Sequence, residues 1–442
     1  MAGSSSIPRV DDTLLPPGPR LPGLVQSIAL LRFRQRWFPS LQRTYGDVFT
    51  VRMLPAGRRL VVFHQPEHVK EIFAGDPEIF HAGKGNAILG PVMGEHSLLL
   101  VDSTQHRRAR KMLMPAFSSR AMKGYTGLIE EIARAEVDSW PEHTTVRALD
   151  RMNALTLEVI LQVVFGVTDE ARLVRLRPLV TRVVQINPAV FLGYGYPFLQ
   201  KLGPWKRTVE NIAALDEAIY DEIAQRRSDP DSAGRTDVLS QLLHVVDDET
   251  GEGLTDEELR DQLVTLLLAG HETTASALSW TLHELAKDPD QQARARAGDD
   301  RYLEAVLKEG MRLHPVIPMV VRCLMAPATV GGLDLPAGTN VAASILLAHD
   351  DPQSHPDPEA FRPERFLGDE VHPNTWIPFG GGVRRCIGAG FSLMEGTVVL
   401  RALLEQHQLS LPAGEPDEVV QVRNITSVPK RGSRVLVSRL SE

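Results

Sequence analysis

The chain carries two cysteines, Cys323 and Cys386, and the second sits in a segment suited to thiol chemistry. Phe379-Gly380-Gly381-Gly382-Val383-Arg384-Arg385-Cys386-Ile387-Gly388 places three glycines and two arginines just ahead of the sulfur. Glycines let the backbone turn tightly and lie close against a flat ligand, where side chains would stand in the way. A helical pattern over 390–404 follows, so Cys386 falls where free amides and the positive end of a helix dipole favour a thiolate. Arg384 and Arg385 add positive charge beside it. The result is an electron-rich sulfur able to ligate a metal. Two plainer readings compete. One cysteine beside a glycine turn is more often a buried structural residue. A glycine cluster can also cradle a phosphate, but no Lys-Ser or Lys-Thr follows this one.

A second constellation lies on a long helix. Thr255-Asp256-Glu257-Glu258 has the form of a capping box, which predicts a helix from 256 to about 285. Leu263, Leu266, Leu267, Gly270, Thr273, Thr274 and Ala277 recur at helical spacing and form an apolar face broken by a glycine and two hydroxyls. A mid-helix glycine costs about 1 kcal/mol against alanine, so Gly270 either permits close packing or opens a groove. Glu272 beside Thr273 supplies a carboxylate and a hydroxyl, the groups that proton delivery requires. The competing reading is a core helix whose threonines bond back one turn. His271 reads as a helix-surface or supporting residue.

Other charged residues fall at paired spacings. Glu309 and Arg312, three apart, share a helix face. Arg365 lies in the later run Phe361-Arg362-Pro363-Glu364-Arg365-Phe366. His106 and Arg110 project from one side of a helix, with Arg107, Arg108 and Lys111 available for a protein partner or for plain solvation. Arg322 follows a turn at Pro315 and Pro318, and its neighbour Cys323 reads as a small buried residue.

The elements that must position these groups are mainly helical. Helical patterns dominate from 106 to 313, including 128–139, 152–165 and 209–226. A hairpin is expected from 49–53 and 59–63 around a turn at 55–57, and further strands at 329–339, 419–422 and 435–438. Residues 1–20 form a Pro-rich N-terminal lead-in, extended through Leu15-Pro16-Pro17-Gly18-Pro19. With 442 residues, 43% hydrophobic and 24% charged, and no linker-like stretch, one domain spanning 1–442 is expected. The net charge of -8 argues against nucleic acid as a partner. Two cysteines exclude a disulfide framework, and no apolar run reaches membrane-span length, so a cytoplasmic location is expected.

This ordered set resembles the cytochrome P-450 family, whose loop Phe-Gly-x-Gly-x-Arg-x-Cys-x-Gly is matched at every fixed position from Phe379 to Gly388. The resemblance implies an α+β fold, mainly α with a smaller β-rich portion, and a long central helix lying over haem b (iron protoporphyrin IX). Cys386 would be the proximal iron ligand. Arg384, His106, Arg110 and Arg322 would hold the haem propionates, and Phe379, Gly380, Gly388, Ala269 and Gly270 would border the haem. Ala269-Gly270-His271-Glu272-Thr273-Thr274 resembles the family's oxygen-binding motif, making Thr273 the hydroxyl that supports dioxygen and Glu272 the acid of the proton relay. Glu309, Arg312 and Arg365 would close a structural triad.

The implied activity is monooxygenation of an apolar small molecule, with hydroxylation the expected outcome. Electrons would come from a separate ferredoxin, or similar one-electron donor, with its NAD(P)H-dependent reductase. Substrate choice would fall to residues 81–101, the aromatic-rich 187–205 and 424–428. The 187–205 segment suits an apolar access route, ordinary packing or a membrane surface. Two rivals remain at this point, a peroxide-driven haem-thiolate enzyme and a non-catalytic haem-based ligand-binding protein.

Overall fold

Apolar periodicity and local capping account for the longest elements of the chain. The computed structural model describes residues 12–54, 58–184, 198–368, 371–423 and 425–440. Its longer helices are α1 (Gly23–Tyr45), α2 (Pro66–Ala74), α3 (Ser103–Leu113), α4 (Ser119–Asp138), α5 (Ala148–Val163) and α6 (Glu170–Val184). They continue with α7 (Gly203–Ser228), α8 (Val238–His244), α9 (Asp256–Lys287), α10 (Pro289–Ala297), α11 (Asp300–Leu313) and α12 (Ala389–Gln406). The strands are β1 (Phe49–Met53), β2 (Arg58–Phe63), β3 (Phe80–His81), β4 (Thr144–Arg147), β5 (Met319–Leu324) and β6 (Ala328–Val330). After them come β7 (Leu333–Leu335), β8 (Asn340–Ser344), β9 (His407–Ser410), β10 (Val420–Arg423), β11 (Thr426–Pro429) and β12 (Arg434–Arg439). The architecture is mainly helical with a smaller strand-rich portion.

α9 begins as its sequence indicates. The Thr255 hydroxyl accepts from the Glu258 amide at 3.1 Å, and the Glu258 carboxylate accepts from the Thr255 amide at 2.9 Å. The helix runs 32 residues and is buried on nearly every side, which makes it a core beam rather than a surface helix. Of the two readings of Gly270, close packing holds. A side-chain carbon there would stand 3.0 Å from the Ile160 Cδ1 of α5, and the helix passes through the position without a break.

The five-stranded sheet has the order β1-β2-β8-β5-β3. β1 and β2 form the expected hairpin, with Phe49 opposite Val62, while β2 and β8 run parallel with Leu60 opposite Asn340. The expected turn at 55–57 lies outside the described residues. Strand 329–339 is corrected to a hairpin, β6 and β7, turned by Gly331 and Gly332 at φ values of 59° and 73°. A strand cannot carry two such residues in sequence. The lead-in is also corrected in part: residues 12–14 make a 3-10 turn, and the stretch after it lies along β1, with the Thr50 amide bonded to the Pro17 carbonyl at 3.0 Å, while residues 1–11 lie outside the described residues. α1, α2, β5 and β8 had no counterpart in the sequence reading.

Candidate functional site

The cysteine loop is shaped by its own backbone. The Phe379 carbonyl accepts from the Cys386 amide at 2.9 Å, the Ile377 carbonyl from Gly380 at 3.0 Å, and the Gly382 carbonyl from Arg385 at 3.1 Å. Gly380 and Gly382 both sit at φ 63°, where glycine is favoured. A side chain on Gly382 would collide with the Phe73 carbonyl of α2, and one on Gly381 with the Phe73 ring. These two glycines therefore answer to α2. Gly388 is the residue before α12, and its carbonyl accepts from Ser392 at 2.9 Å. Cys386 keeps exposed surface, while the protein packed around its sulfur disfavours a charge there. Burial pushes the thiol pKa up, while the Gly388 amide and the charges of Arg110 and Arg385 pull it down.

Basic groups from three segments converge on one another, and one of them, Arg110, also acts on the Cys386 thiol. His106 and Arg110 come from α3, Arg322 from β5, and Arg384 from the loop. Burial, then the charges of Arg384, Arg110 and Arg322, lower the His106 pKa to about 3, so this imidazole is neutral at physiological pH. Arg322 is lowered to about 10 by burial and then by Arg384. Arg384 donates to the carbonyls of Leu98 at 3.2 Å and Val101 at 2.5 Å and pairs with Asp102. Asp102 also accepts from the amides of Gly83 at 2.9 Å and Lys84 at 3.1 Å. Among the described residues, Asp102 is the carboxylate that pairs with this cluster, so a surplus of positive charge borders Cys386. That donor set suits a ligand bearing two carboxylates beside a metal.

α9 contributes the other wall. Ala269 is exposed and Gly270 and Thr273 half-exposed in the middle of a helix otherwise buried. The Thr273 hydroxyl donates to the Ala269 carbonyl at 2.6 Å. Glu272 is buried and turned elsewhere: it accepts from Arg423 at 3.4 Å and from the Thr426 hydroxyl at 3.3 Å, both on the β10–β11 hairpin. Burial raises its pKa, opposed by Arg423 and Thr426. No hydrogen bond joins Glu272 to Thr273 among the described residues. His271 is not a surface residue; it is buried with its Nδ1 2.9 Å from the Thr156 hydroxyl, and burial lowers its pKa to about 4. A groove of about 870 Å³ between α4, α5 and α6 includes His271 and Arg423 in its lining.

Glu309, Arg312 and Arg365 come together in full burial. Arg312 grips the Glu309 carboxylate at 2.7 and 2.9 Å, and Arg365 donates to it at 3.2 Å. The two guanidiniums also donate to the carbonyls of His349, Ala360 and Asp357, so every partner is a protein group. The basic face expected from Arg107, Arg108 and Lys111 is largely neutralised. Arg108 pairs with Glu258 at 2.6 Å and Lys111 with Asp248 at 3.1 Å, leaving Arg107 exposed. Cys323 is buried on β5. Of the aromatic segment 187–205, residues up to 197 lie outside the described residues; Phe198 is exposed and Trp205 packs against the main core.

Asp102 and Arg423 were missed from sequence. Asp102 reads as a helix cap, yet its oxygens serve Arg384 and two backbone amides, and no local pattern ties position 423 to 272.

A family model described as Cytochrome P450 matches residues 16–436. Cytochrome P450 135A1 of Mycobacterium tuberculosis is 53% identical over 427 residues, covering 96% of this chain and 95% of that protein. Cytochrome P450 135B1 of Mycobacterium bovis is 42% identical, covering 99% and 93%. Among solved structures, the retinoic acid-bound cyanobacterial CYP120A1 superposes with a TM-score of 0.85 at 27% identity, covering 96% of this chain and 100% of that one. The P450DA haem domain gives 0.84 at 27% identity, covering 97% and 98%. Motif, site geometry and relatives agree over nearly the whole length, and the chain belongs to the cytochrome P450 family of haem b monooxygenases.

Proposed function

We propose that Cys386 would hold the haem iron through its thiolate in a single-domain enzyme that hydroxylates an apolar small molecule. The observation that carries this reading is the convergence of Arg110, Arg322, Arg384 and neutral His106, with Arg110 also acting on the Cys386 thiol and Asp102 the carboxylate that pairs with the cluster. Arg110, Arg322, Arg384 and His106 would hold the haem propionates, whose negative charge the cluster lacks, while Ala269, Gly270 and Thr273 of α9 and Phe379, Gly380 and Gly388 of the cysteine loop would border the haem. Thiolate-ligated haem supplies dioxygen activation and transfer of one oxygen atom.

The chain's own groups manage protons and position. Thr273 holds a hydroxyl proton that it can turn from the Ala269 carbonyl to the open side of α9. Glu272 holds a proton more readily than an exposed glutamate, and Arg423 links it to the groove beyond. Rotation of the Glu272 carboxylate from Arg423 towards Thr273 would carry a proton into the site. Electrons come from a ferredoxin-type donor with its NAD(P)H-dependent reductase. Arg107 is the remaining exposed cation of the α3 face that such a donor would meet.

Replacing Cys386→Ala tests the ligand directly. The reduced, carbon monoxide-treated variant should lack the difference band of thiolate-ligated haem, and an unchanged band would remove the assignment. Substrate class is read from apolar compounds that shift the haem spin state of the wild type.

A further inference from the structure

We propose that the outward face of α1 is a docking surface for an anionic lipid bilayer. Leu24, Val25, Ile28 and Leu31 recur at helical spacing on α1 opposite the buried stripe of Gln26, Leu30, Arg34, Phe38 and Leu41, and Leu21 stands just ahead of the helix. Each of the five outward aliphatics is between 37% and 55% exposed. Single exposed aliphatics are ordinary on protein surfaces, but four on one helix stripe with a fifth just ahead of it form an apolar patch. Exposed Leu54 is tied to α1 by its amide, which donates to the Ser27 hydroxyl at 2.9 Å.

The charge around the patch indicates what covers it. Further along the same outward stripe the aliphatics give way to exposed Arg32, Arg36 and Arg43, and Arg20 stands at the other end. α1 contains no acidic residue. Between Leu15 and Phe63 there are eight arginines and one acid, Asp47, a surplus of seven positive charges in a chain whose net charge is -8. An apolar stripe continued by cations matches the boundary of a negatively charged bilayer, where aliphatics enter the acyl region and arginines meet the headgroups. A second copy of the chain fits less well, because symmetric pairing would set these arginines against their own equivalents. Among the described residues no helix is long and apolar enough to cross a membrane, so the contact is peripheral.

The test uses the full-length, haem-loaded enzyme. It should sediment with vesicles of equal parts phosphatidylglycerol and phosphatidylcholine, stay in solution with phosphatidylcholine alone, and be released by high salt. The variants Leu24→Ser with Ile28→Ser, and Arg32→Gln with Arg36→Gln, should each lose sedimentation while keeping the wild-type carbon monoxide difference band. Failure of the wild type to sediment, or retained sedimentation by either variant, overturns the proposal. So does vesicle-free dimerisation that Leu24→Ser with Ile28→Ser abolishes, since that result gives the stripe to a second copy.

Discussion

Thr273 and Glu395 show two different uses of a polar group in the core. The Thr273 hydroxyl is satisfied one turn back along its own helix, so Thr273→Ala removes no tertiary hydrogen bond among the described residues and should leave haem binding intact. Loss of the hydroxyl should divert reducing equivalents into hydrogen peroxide, read as peroxide formed per NAD(P)H consumed; fully coupled product formation would count against the proton role. Glu395 on α12 is fully buried, its Oε1 meets no protein partner, and burial raises its pKa to about 8 from 4.5. Between those values the native state keeps a proton that the unfolded chain releases, so this residue makes stability fall as pH rises, by up to about 1.4 kcal/mol per pH unit. Glu395→Gln should flatten that decline. Melting curves of both proteins from pH 5 to pH 8 decide it, and parallel declines would refute the buried neutral acid.

At the scale of elements, the cysteine loop depends on α2 as much as on its own turns. Gly382→Ala puts an L side chain at φ 63° and into the Phe73 carbonyl. It should lower stability by at least about 1–2 kcal/mol and cut haem retained per protein after gel filtration. Wild-type stability and haem content would show that the loop can move off α2. The loop and α9 were legible because their determinants are local: consecutive glycines before a cysteine, and a capping box ahead of an apolar face. α1 was not, because its outward stripe is as apolar as its inward one and the polar contrast that marks a surface helix is missing. β8 is buried at every residue, so no alternation announces it. The pairing of Glu272 with Arg423 joins α9 to a hairpin near the C-terminus, a contact that no spacing rule reaches. The resemblance supplied site residues that periodicity alone left as core or surface.

Across the whole molecule, the Glu309 cluster ties α11 to the chain that leads towards the cysteine loop. Glu309→Ala leaves Arg312 and Arg365 buried without their carboxylate, which should cost about 3–5 kcal/mol and yield protein poor in haem. Denaturant unfolding against the wild type measures this, and a difference below about 1 kcal/mol would place the cluster outside the stability of the fold. Asp102 links more distant parts. Its carboxylate is shared between the amides of Gly83 and Lys84, in the stretch expected to choose the substrate, and the guanidinium of Arg384, two residues before Cys386. One carboxylate thus fastens the turn at 83–84 to the cysteine loop. Any outward shift of Gly83 would therefore draw on the same oxygens that hold Arg384, two positions from the sulfur-bearing residue.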